Sequence, residues 1–317
     1  MVEAAYAIHL DQDAWLAGLV QAAEPGLAEE LGLVGYVYDA RRLPLEIESI
    51  HVRGSGRLVD YARRTVAMAS TNADFVDATW RAQSVATVSQ TVDMRTVESA
   101  SDFVANGIND FLIVNAYDVS ATGVWIGAAL PTLRRPTARE SLIWSRVAAH
   151  IAAGYRLRRR REGRPAAVLS PSGKLEHPEG EATEGAARAA LRQSVLRMEA
   201  ARGRLREQHV EQAIEGWQPL TDARWSLIDQ FESDGRRYVV AVENALAPKA
   251  PDGLALREQQ VVAAAASGRT TKLIAYELGL NASTVRVLLS RAARKLDLRS
   301  RAELVALYRA YARKVTL

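Results

Sequence analysis

The sequence predicts a multidomain α+β protein in which two mixed regions of helix and strand precede an all-helical region. Over residues 1–157, strand-like runs rich in β-branched and aromatic residues alternate with helix-like runs. A shorter succession of hairpin, helix and hairpin follows over residues 165–247, and residues 254–317 contain four helix-like segments. The length of 317 residues suits two or three domains, and 48% apolar residues suffice for buried cores.

The first region contains the largest set of predicted strands. We expect a helix over 12–23 and strands over 31–38 and 45–52. After Gly56 we expect a helix through Tyr61, Val66 and Met68 and another around 75–80, followed by a variable polar stretch to about 106. Two apolar runs, 110–117 and 123–130, predict an antiparallel hairpin. Thr137 is positioned to cap a long helix over 138–159, whose inner side is expected to carry Leu142, Val147, Ile151 and Tyr155.

This order of elements resembles a GAF-like sensory domain, in which helices lie behind a central antiparallel sheet and a cavity lies on its other face. The resemblance is one of architecture and of the closing strand pair and long helix. It implies candidate ligand contacts at five aromatic residues, with ordinary core packing as the alternative for each one: Phe75, Trp80, Phe103, Phe111 and Trp125.

The middle region, residues 165–247, predicts a small α+β module. The turn Pro171–Gly173 lies between two short strand-like runs, a helix covers about 184–214, and alternating residues flank the turn Asp234-Gly235. The module resembles a PAS-like domain. Leu191, Met198 and Leu205 recur at sevens, but polar facing positions favour packing of this helix on its own sheet over a coiled coil.

Residues 254–317 predict two helices joined by a tight turn, within a four-helix bundle. Gly268 ends a helix over 256–267, and Gly279 ends a helix over 272–278 that Thr270 or Thr271 caps. Asn281 offers a cap for a third helix, and a fourth covers about 301–314. The third helix has one apolar face and one basic face, which is typical of a helix-turn-helix.

The charge is distributed unevenly along the chain, and the positive charge is concentrated in this same C-terminal segment. Residues 254–317 hold twelve Lys and Arg against four Asp and Glu, a net charge of +8, whereas residues 1–253 hold 29 and 33, a net charge of −4. Positive charge clustered in one segment favours a phosphate-binding surface there.

The ordered motifs of this segment resemble the C-terminal domain of LuxR-type (GerE-type) transcription regulators. They are Arg257-Glu258, Gly268, Lys272–Ala275, Leu278–Leu280, Ser283–Arg286 and Lys295-Leu296. The resemblance implies that the helix over 282–296 enters the DNA major groove and that the fourth helix pairs two subunits. It implies base-reading contacts at Arg286, Val287 and Ser290. It implies phosphate contacts at five further residues, namely Thr270, Lys272, Thr284, Arg291 and Lys295.

The match also has departures. Ala255-Leu256 replaces the usual threonine and proline, which predicts a weaker cap for the first helix of the bundle. Ser290 stands where many members carry a basic residue, and Leu288 stands where histidine is common. The base preference of the family is therefore not transferred to this chain.

Several function classes lack the residues that they need. There is no cysteine, and the five histidines show no metal-ligand spacing, so we expect no metal and no cofactor. Residues 1–157 contain no lysine, which excludes a phosphoacceptor receiver, and Gly54-Ser55-Gly56 lacks the lysine of a phosphate loop. No catalytic constellation is present, so no enzyme is predicted. Without a leader or an apolar run of about 20 residues, the expected location is the cytoplasm, with no membrane contact.

The sequence therefore predicts a transcription regulator that binds double-stranded DNA as a homodimer. Its N-terminal domain would respond to an unidentified small-molecule or protein effector, and RNA polymerase is a further candidate partner. The alternatives are a sigma-factor-like initiation protein, a protein-interaction scaffold with a DNA-binding tail, and an enzyme with an appended DNA-binding domain. The last has no catalytic motif to support it.

Overall fold

A computed structural model gives the fold. It describes residues 1–27, 31–69, 76–77, 79–81, 85–91, 100–118, 122–159, 167–178, 185–202, 212, 225–231, 237–243 and 253–316. Over these residues the chain forms a first antiparallel sheet with helices, a second smaller sheet with a helix, and a C-terminal helical bundle. None of the described helices is long and apolar enough to cross a membrane.

The first sheet has five strands in the order β2-β1-β5-β4-β3. These are β1 Gly32–Asp39, β2 Glu46–Gly54, β3 Val85–Thr87, β4 Asp110–Tyr117 and β5 Thr122–Leu130, and every described pairing is antiparallel. The two predicted strands and the predicted hairpin β4–β5 are confirmed. The edge strand β3 was not predicted, because three residues in a polar stretch carry too short a pattern to be recognised.

Helices cover both faces of this sheet. They are α1 Val2–Ala5, α2 Gln12–Leu27, α3 Arg57–Ala69, α4 Val88–Thr91, α5 Ala100–Ala105 and α6 Ala138–Arg159. Side chains of β4 alternate between a largely aliphatic cluster with α2 and α6, including Leu112 and Val114, and an aromatic cluster with α3, including Phe111. Burial on both faces explains why β4 and β5 are almost continuously apolar.

The inner face of α6 differs from its prediction at one position. Val147, Ile151 and Tyr155 are buried as expected, but Leu142 is 37% exposed and Trp144 is buried instead. The indole of Trp144 packs on α2 at Gly26, where an added Cβ would lie 3.0 Å from its Cζ2 atom. The large ring therefore occupies the space between the two helices, and Leu142 lies on the outside. The predicted helix over 75–80 lies partly outside the described residues.

The second sheet has the order β7-β6-β9-β8, with α7 Gly185–Arg202 packed on it. Its strands are β6 Ala167–Leu169, β7 Leu175–Pro178, β8 Trp225–Phe231 and β9 Arg237–Glu243, and the antiparallel pairing predicted for β6–β7 and for β8–β9 is confirmed. The predicted turn Asp234-Gly235 lies outside the described residues. Leu191 and Met198 of α7 are buried with Leu169 and Leu227, so the helix packs on its own sheet as expected. Leu205 lies outside the described residues. This core is continuous with the α2–α6 side of the first sheet.

The C-terminal bundle consists of α8 Leu256–Ala266, α9 Thr271–Glu277, α10 Ala282–Lys295 and α11 Arg301–Thr316. Gly268 and Gly279 adopt φ values of 80° and 63°, the left-handed conformation expected of a residue that ends a helix. The hydroxyl of Thr270 caps α9 by accepting from the amide of Leu273 at 3.2 Å. Asn281 occupies the N-cap position of α10, but its side chain forms no capping bond within the described chain, which corrects that expectation.

Candidate nucleic-acid interface

The outer face of α10 presents the three candidate base-reading residues together. Arg286, Val287 and Ser290 are all exposed, whereas Val285 and Leu289 on the opposite side enter the core of the bundle. Val287 is 48% exposed although its side chain is apolar. In a major groove, a guanidinium is suited to the edge of guanine and a small apolar group to the methyl group of thymine. A hydroxyl can donate to or accept from a base edge.

The five candidate phosphate contacts are also exposed, on α10 and around the start of α9: Thr270, Lys272, Thr284, Arg291 and Lys295. The oxygen of Thr270 already accepts the capping bond from Leu273, but its proton remains able to donate to a phosphate oxygen. The base-reading candidates and the phosphate candidates therefore belong to one bundle, on α10 and around the start of α9, and a tight turn connects these two helices.

Lys295 has a partner within the bundle. Its Nζ atom lies 2.7 Å from Oε2 of Glu258, which is almost fully buried. The same carboxylate accepts from the backbone amide of Ala255 at 2.8 Å, which is one of the two bonds of a capping box. The other bond, from the amide of Glu258 to a side-chain oxygen at position 255, cannot form because Ala255 has no such oxygen. Burial alone would raise the pKa of Glu258, but the bonds from Lys295 and Ala255 outweigh it and lower the pKa below its usual value. The bond from Ala255 to Glu258 therefore offsets only part of the weakness expected for this helix start.

A buried chain of hydrogen bonds joins the bundle to the first sheet's helices. His150 of α6 lies with Nδ1 3.1 Å from the hydroxyl of Tyr6 and with Nε2 2.9 Å from the hydroxyl of Tyr276 in α9. A neutral imidazole donates from one nitrogen and accepts at the other, so both bonds can form together. Burial lowers the pKa of His150 from 6.5 to about 3, which keeps the ring neutral. Arg146 lies over the ring of Tyr276, 4.9 Å from its centre.

A second contact involves Arg269, the residue immediately before the cap of α9. One Nη atom donates to the backbone carbonyl of Tyr117 at the end of β4, at 2.7 Å. Its Nε atom lies 2.7 Å from a carboxylate oxygen of Glu277, and the side chain is only 10% exposed. Because Arg269 adjoins Thr270, the first sheet contacts the bundle directly beside a candidate phosphate contact.

A cavity lies on the aromatic face of the first sheet. Four of the five predicted ligand contacts line it, namely Trp80, Phe103, Phe111 and Trp125, whereas Phe75 lies outside the described residues. Below the cavity, Asn115 of β4 donates to the carbonyl of Trp80 at 2.8 Å, and the hydroxyl of Tyr38 lies 2.8 Å from both Asn115 Oδ1 and that carbonyl. These bonds hold one wall of the cavity against the strand that ends at Tyr117.

Sequence reasoning did not identify His150, Tyr276 or Arg269 as functional candidates. The histidines were considered there only as metal ligands, whereas both ring nitrogens of His150 have hydrogen-bond partners in the structure. Among the described residues, no group of histidine, aspartate and glutamate could hold a metal ion. The sequence carries a signal for Arg269 alone among these three residues, because it is a charged residue next to a helix cap. The contact between His150 and Tyr276 depends on the packing of distant segments.

The short turn between α9 and the exposed basic α10 defines a helix-turn-helix of the DNA-binding class. Residues 252–308 match the family GerE, described as bacterial regulatory proteins, luxR family. No curated protein matches the chain. The family match supports a DNA-binding transcription regulator, at the level of the family, and the resemblance seen in the sequence is confirmed for this segment.

Proposed function

We propose that this protein binds operator DNA specifically, as a homodimer, through the outer face of α10. The observation that carries the proposal is the shared exposure of Arg286, Val287 and Ser290 on a helix whose other side is core. In this assignment they read base edges, and Thr270, Lys272, Thr284, Arg291 and Lys295 hold phosphates. Two copies would present two such helices to successive turns of the groove, and α11 would pair them.

The first experiment is to map the DNA bound by the full chain across its genome and then to measure binding to the recovered site. Arg286→Ala should weaken binding to that site by about 1–3 kcal/mol and leave binding to random DNA almost unchanged, because the lost contact is to a base. The control is Arg257→Ala, which removes the same charge from an exposed position on α8. An equal loss on both DNAs would contradict base reading by Arg286.

We further propose three functional units: a GAF-like sensory unit over 1–157, a PAS-like middle module over 165–247 and the DNA-binding unit over 254–317. The bundle has a hydrophobic cluster of its own, which supports the last boundary. The first two units share one continuous cluster, which suggests that they act as a single body. The cavity on the aromatic face is the proposed sensing site within that body.

The proposed coupling runs through the contacts of Tyr276 and Arg269. All candidate DNA contacts remain exposed while these contacts are made, so the sensory unit does not act by covering α10. Instead, it holds the bundle in one orientation, and a dimer in that orientation sets the spacing of its two recognition helices. An effector then acts by favouring one arrangement of the units over another.

Tyr276→Phe tests this coupling with the smallest change, since the ring stays and only the hydroxyl bonded to His150 is lost. Amide exchange of α9 in the full chain should accelerate by about tenfold, the effect of roughly 1–1.5 kcal/mol from a buried hydrogen bond. Operator affinity should change as well. The control is Tyr155→Phe. Tyr155 lies on α6, the helix that carries His150, but its hydroxyl faces Glu48 instead. Unchanged exchange in α9 would rule out this contact as the link.

A further inference from the structure

Arg301 is the first residue of α11, and its guanidinium reaches across the bundle to the start of α9. Its Nη1 atom donates to Oγ1 of Thr271 at 3.0 Å, and its Nη2 atom donates to the backbone carbonyl of Arg269 at 3.2 Å. Thr270 lies between these two residues in the chain, and Lys272 follows them. Because consecutive Cα atoms are only about 3.8 Å apart, the guanidinium is held beside the backbone of two proposed phosphate contacts.

The charge of Arg301 is available to an anion from outside the protein. Two other cations of the bundle are already paired, because Arg269 lies 2.7 Å from Glu277 and Lys295 lies 2.7 Å from Glu258. Arg301 is exposed, and it forms no ion pair within the part of the chain that the structure describes. Both of its hydrogen-bond acceptors are neutral oxygens, so neither of these bonds compensates its charge.

Glu303, the acid nearest to Arg301 in the sequence, is engaged elsewhere. Its carboxylate accepts from the backbone amide of Arg299 at 2.8 Å, and its own amide donates to Oγ of Ser300 at 3.1 Å. Positions two apart on a helix do not face each other, so Glu303 does not lie against Arg301. These bonds also fix the first turn of α11 and thereby the backbone that carries the Arg301 side chain.

The stability of α11 does not explain a cation at this position. The dipole of a helix places partial positive charge at its start, where a lysine or arginine is unfavourable. The two bonds to α9 do not require a positive charge either, since a neutral amide can donate to a hydroxyl or a carbonyl. An anion outside the bundle gives the charge a role.

The geometry of the guanidinium suits a phosphate. Arginine has five N–H donors in a planar fork, which matches the oxygens of a phosphate group. One donor serves Thr271 and one serves the carbonyl of Arg269, so three remain. A phosphate can therefore bind Arg301 while both bonds to α9 stay intact.

We propose that Arg301 is a further phosphate-binding residue, which contacts the DNA backbone together with Thr270 and Lys272. This inference rests on the proposed DNA-binding function and extends its phosphate contacts from α9 and α10 to α11. The two bonds to α9 hold the guanidinium in place before DNA arrives, so little side-chain entropy is lost when the phosphate binds.

The test measures binding of the full chain to a random-sequence DNA duplex as a function of salt concentration. Arg301→Ala should reduce the slope of log affinity against log salt by about 0.9, the value for one phosphate contact. The loss of affinity should accordingly be about 3.5 times larger at 50 mM than at 200 mM salt. Arg301→Lys should keep a slope within about 0.3 of the wild type, because a lysine also binds phosphate as a point charge.

Arg301→Gln is a second neutral variant, in case Arg301→Ala is poorly folded. Its amide can still donate to one of the two acceptors on α9, but its charge is gone, so the slope should fall by the same amount of about 0.9. A loss of affinity with an unchanged slope in both neutral variants would show that Arg301 only positions α9, and it would overturn the inference. A slope for Arg301→Lys as low as that of Arg301→Ala would overturn it too.

Arg309→Ala is the matched control. Arg309 is also an exposed arginine of α11, and its Nε atom donates to the backbone carbonyl of Ala266 at 2.7 Å. Eight positions, or about 12 Å of helix, separate it from Arg301. Its slope should stay within about 0.3 of the wild type, and a fall equal to that of Arg301→Ala would assign the effect to the net charge of the bundle and contradict a local contact.

Arg286→Ala separates this inference from the function on which it rests. If Arg286→Ala weakens operator binding but the Arg301 variants keep the wild-type slope, the proposed function stands and Arg301 is not a phosphate contact. If Arg286→Ala binds the operator normally while Arg301→Ala lowers the slope, base reading by α10 fails and the phosphate contact stands. A full chain that binds neither DNA would overturn both.

Discussion

The C-terminal bundle and the aromatic face of the first sheet place their candidate functional residues in opposite ways. In the bundle, the core is built from small aliphatic residues such as Ala264 and Val285, and the functional candidates lie outside. On the aromatic face, the candidates are themselves part of the core, as Trp80 and Trp125 are. An exposed cation does not contribute to core packing, so a binding role can be inferred for it. A buried ring packs in the same way with or without a ligand, so its burial alone does not indicate binding.

The largest effect is expected from Trp80→Ala, which breaks the aromatic face. Trp80 is fully buried and its Nε1 atom donates to the hydroxyl of Tyr36 at 2.9 Å. Its loss should lower the free energy of unfolding by about 3–5 kcal/mol, since a large cavity is created. Chemical denaturation followed by tryptophan fluorescence measures the change, and Trp80→Phe should cost much less because the ring volume is largely kept. The bundle has its own core, so hydrogen exchange in α10 should stay slow; its acceleration to the same extent would show that the two regions unfold as one.

An intermediate effect is expected from acidification at the contact between the two regions. Because burial lowers the pKa of His150 from 6.5 to about 3, the unfolded chain takes up a proton between these values and the folded chain does not. The stability contributed by neutral His150 is therefore complete above pH 6.5 and is lost as the pH falls towards 3, by up to about 1.4 kcal/mol per pH unit. The ring contacts the hydroxyls of Tyr6 and Tyr276, and the charged groups next to these tyrosines are Arg156, which acts on Tyr6, and Arg146, which lies over Tyr276.

The measurement is the difference in unfolding free energy between the wild type and His150→Gln at several pH values, so that the carboxylates common to both cancel. His51→Gln, on a half-buried strand position away from the bundle, is the control and should retain the wild-type slope. If His150→Gln also retains that slope, the histidine is not buried in its neutral form and the contact is misassigned.

The smallest effect concerns two lysines of the bundle in different surroundings. Lys272 is exposed, whereas Lys295 is bound to Glu258. Lys272→Ala should weaken all DNA sequences alike and reduce the slope of log affinity against log salt by about 1, the value for one phosphate contact. Lys295→Ala should reduce the slope by less, because its charge is already partly compensated. Equal reductions would show that Lys295 leaves Glu258 on binding DNA.

Prediction from the sequence succeeded where local pattern and local structure coincide. The hairpin β4–β5, the helix α6 and the turns at Gly268 and Gly279 follow from alternation, capping and the left-handed conformation that glycine allows. It failed at β3, which is too short for a pattern, and at Leu142, because the ring of Trp144 takes the space beside Gly26. It also assigned a side-chain cap to Asn281 that the structure does not form.

The candidate site shows the same division. Arg286, Val287 and Ser290 could be placed on one face of a helix from their spacing alone, since helical geometry relates residues that are close in sequence. The aromatic cavity contacts were anticipated as a group from an architectural resemblance, and four of the five line the cavity. The order of residues did not show that Thr65 and Thr79, whose hydroxyls have no hydrogen-bond partner in the described structure, line the same cavity. It also did not show that none of the described lining residues is charged.

A basic helix-turn-helix can be predicted from residues 254–317 alone, because its motifs, caps and charge lie within one short segment. Three sets of neighbours are visible only in the folded chain: Tyr276 with His150, Arg269 with the end of β4, and Thr65, Thr79 and Trp125 around one cavity. The residues within each set are separated by 14 to 152 positions along the chain. Their contacts arise from the packing of whole sheets and helices, whose free energy is the sum of many small terms that no local pattern records.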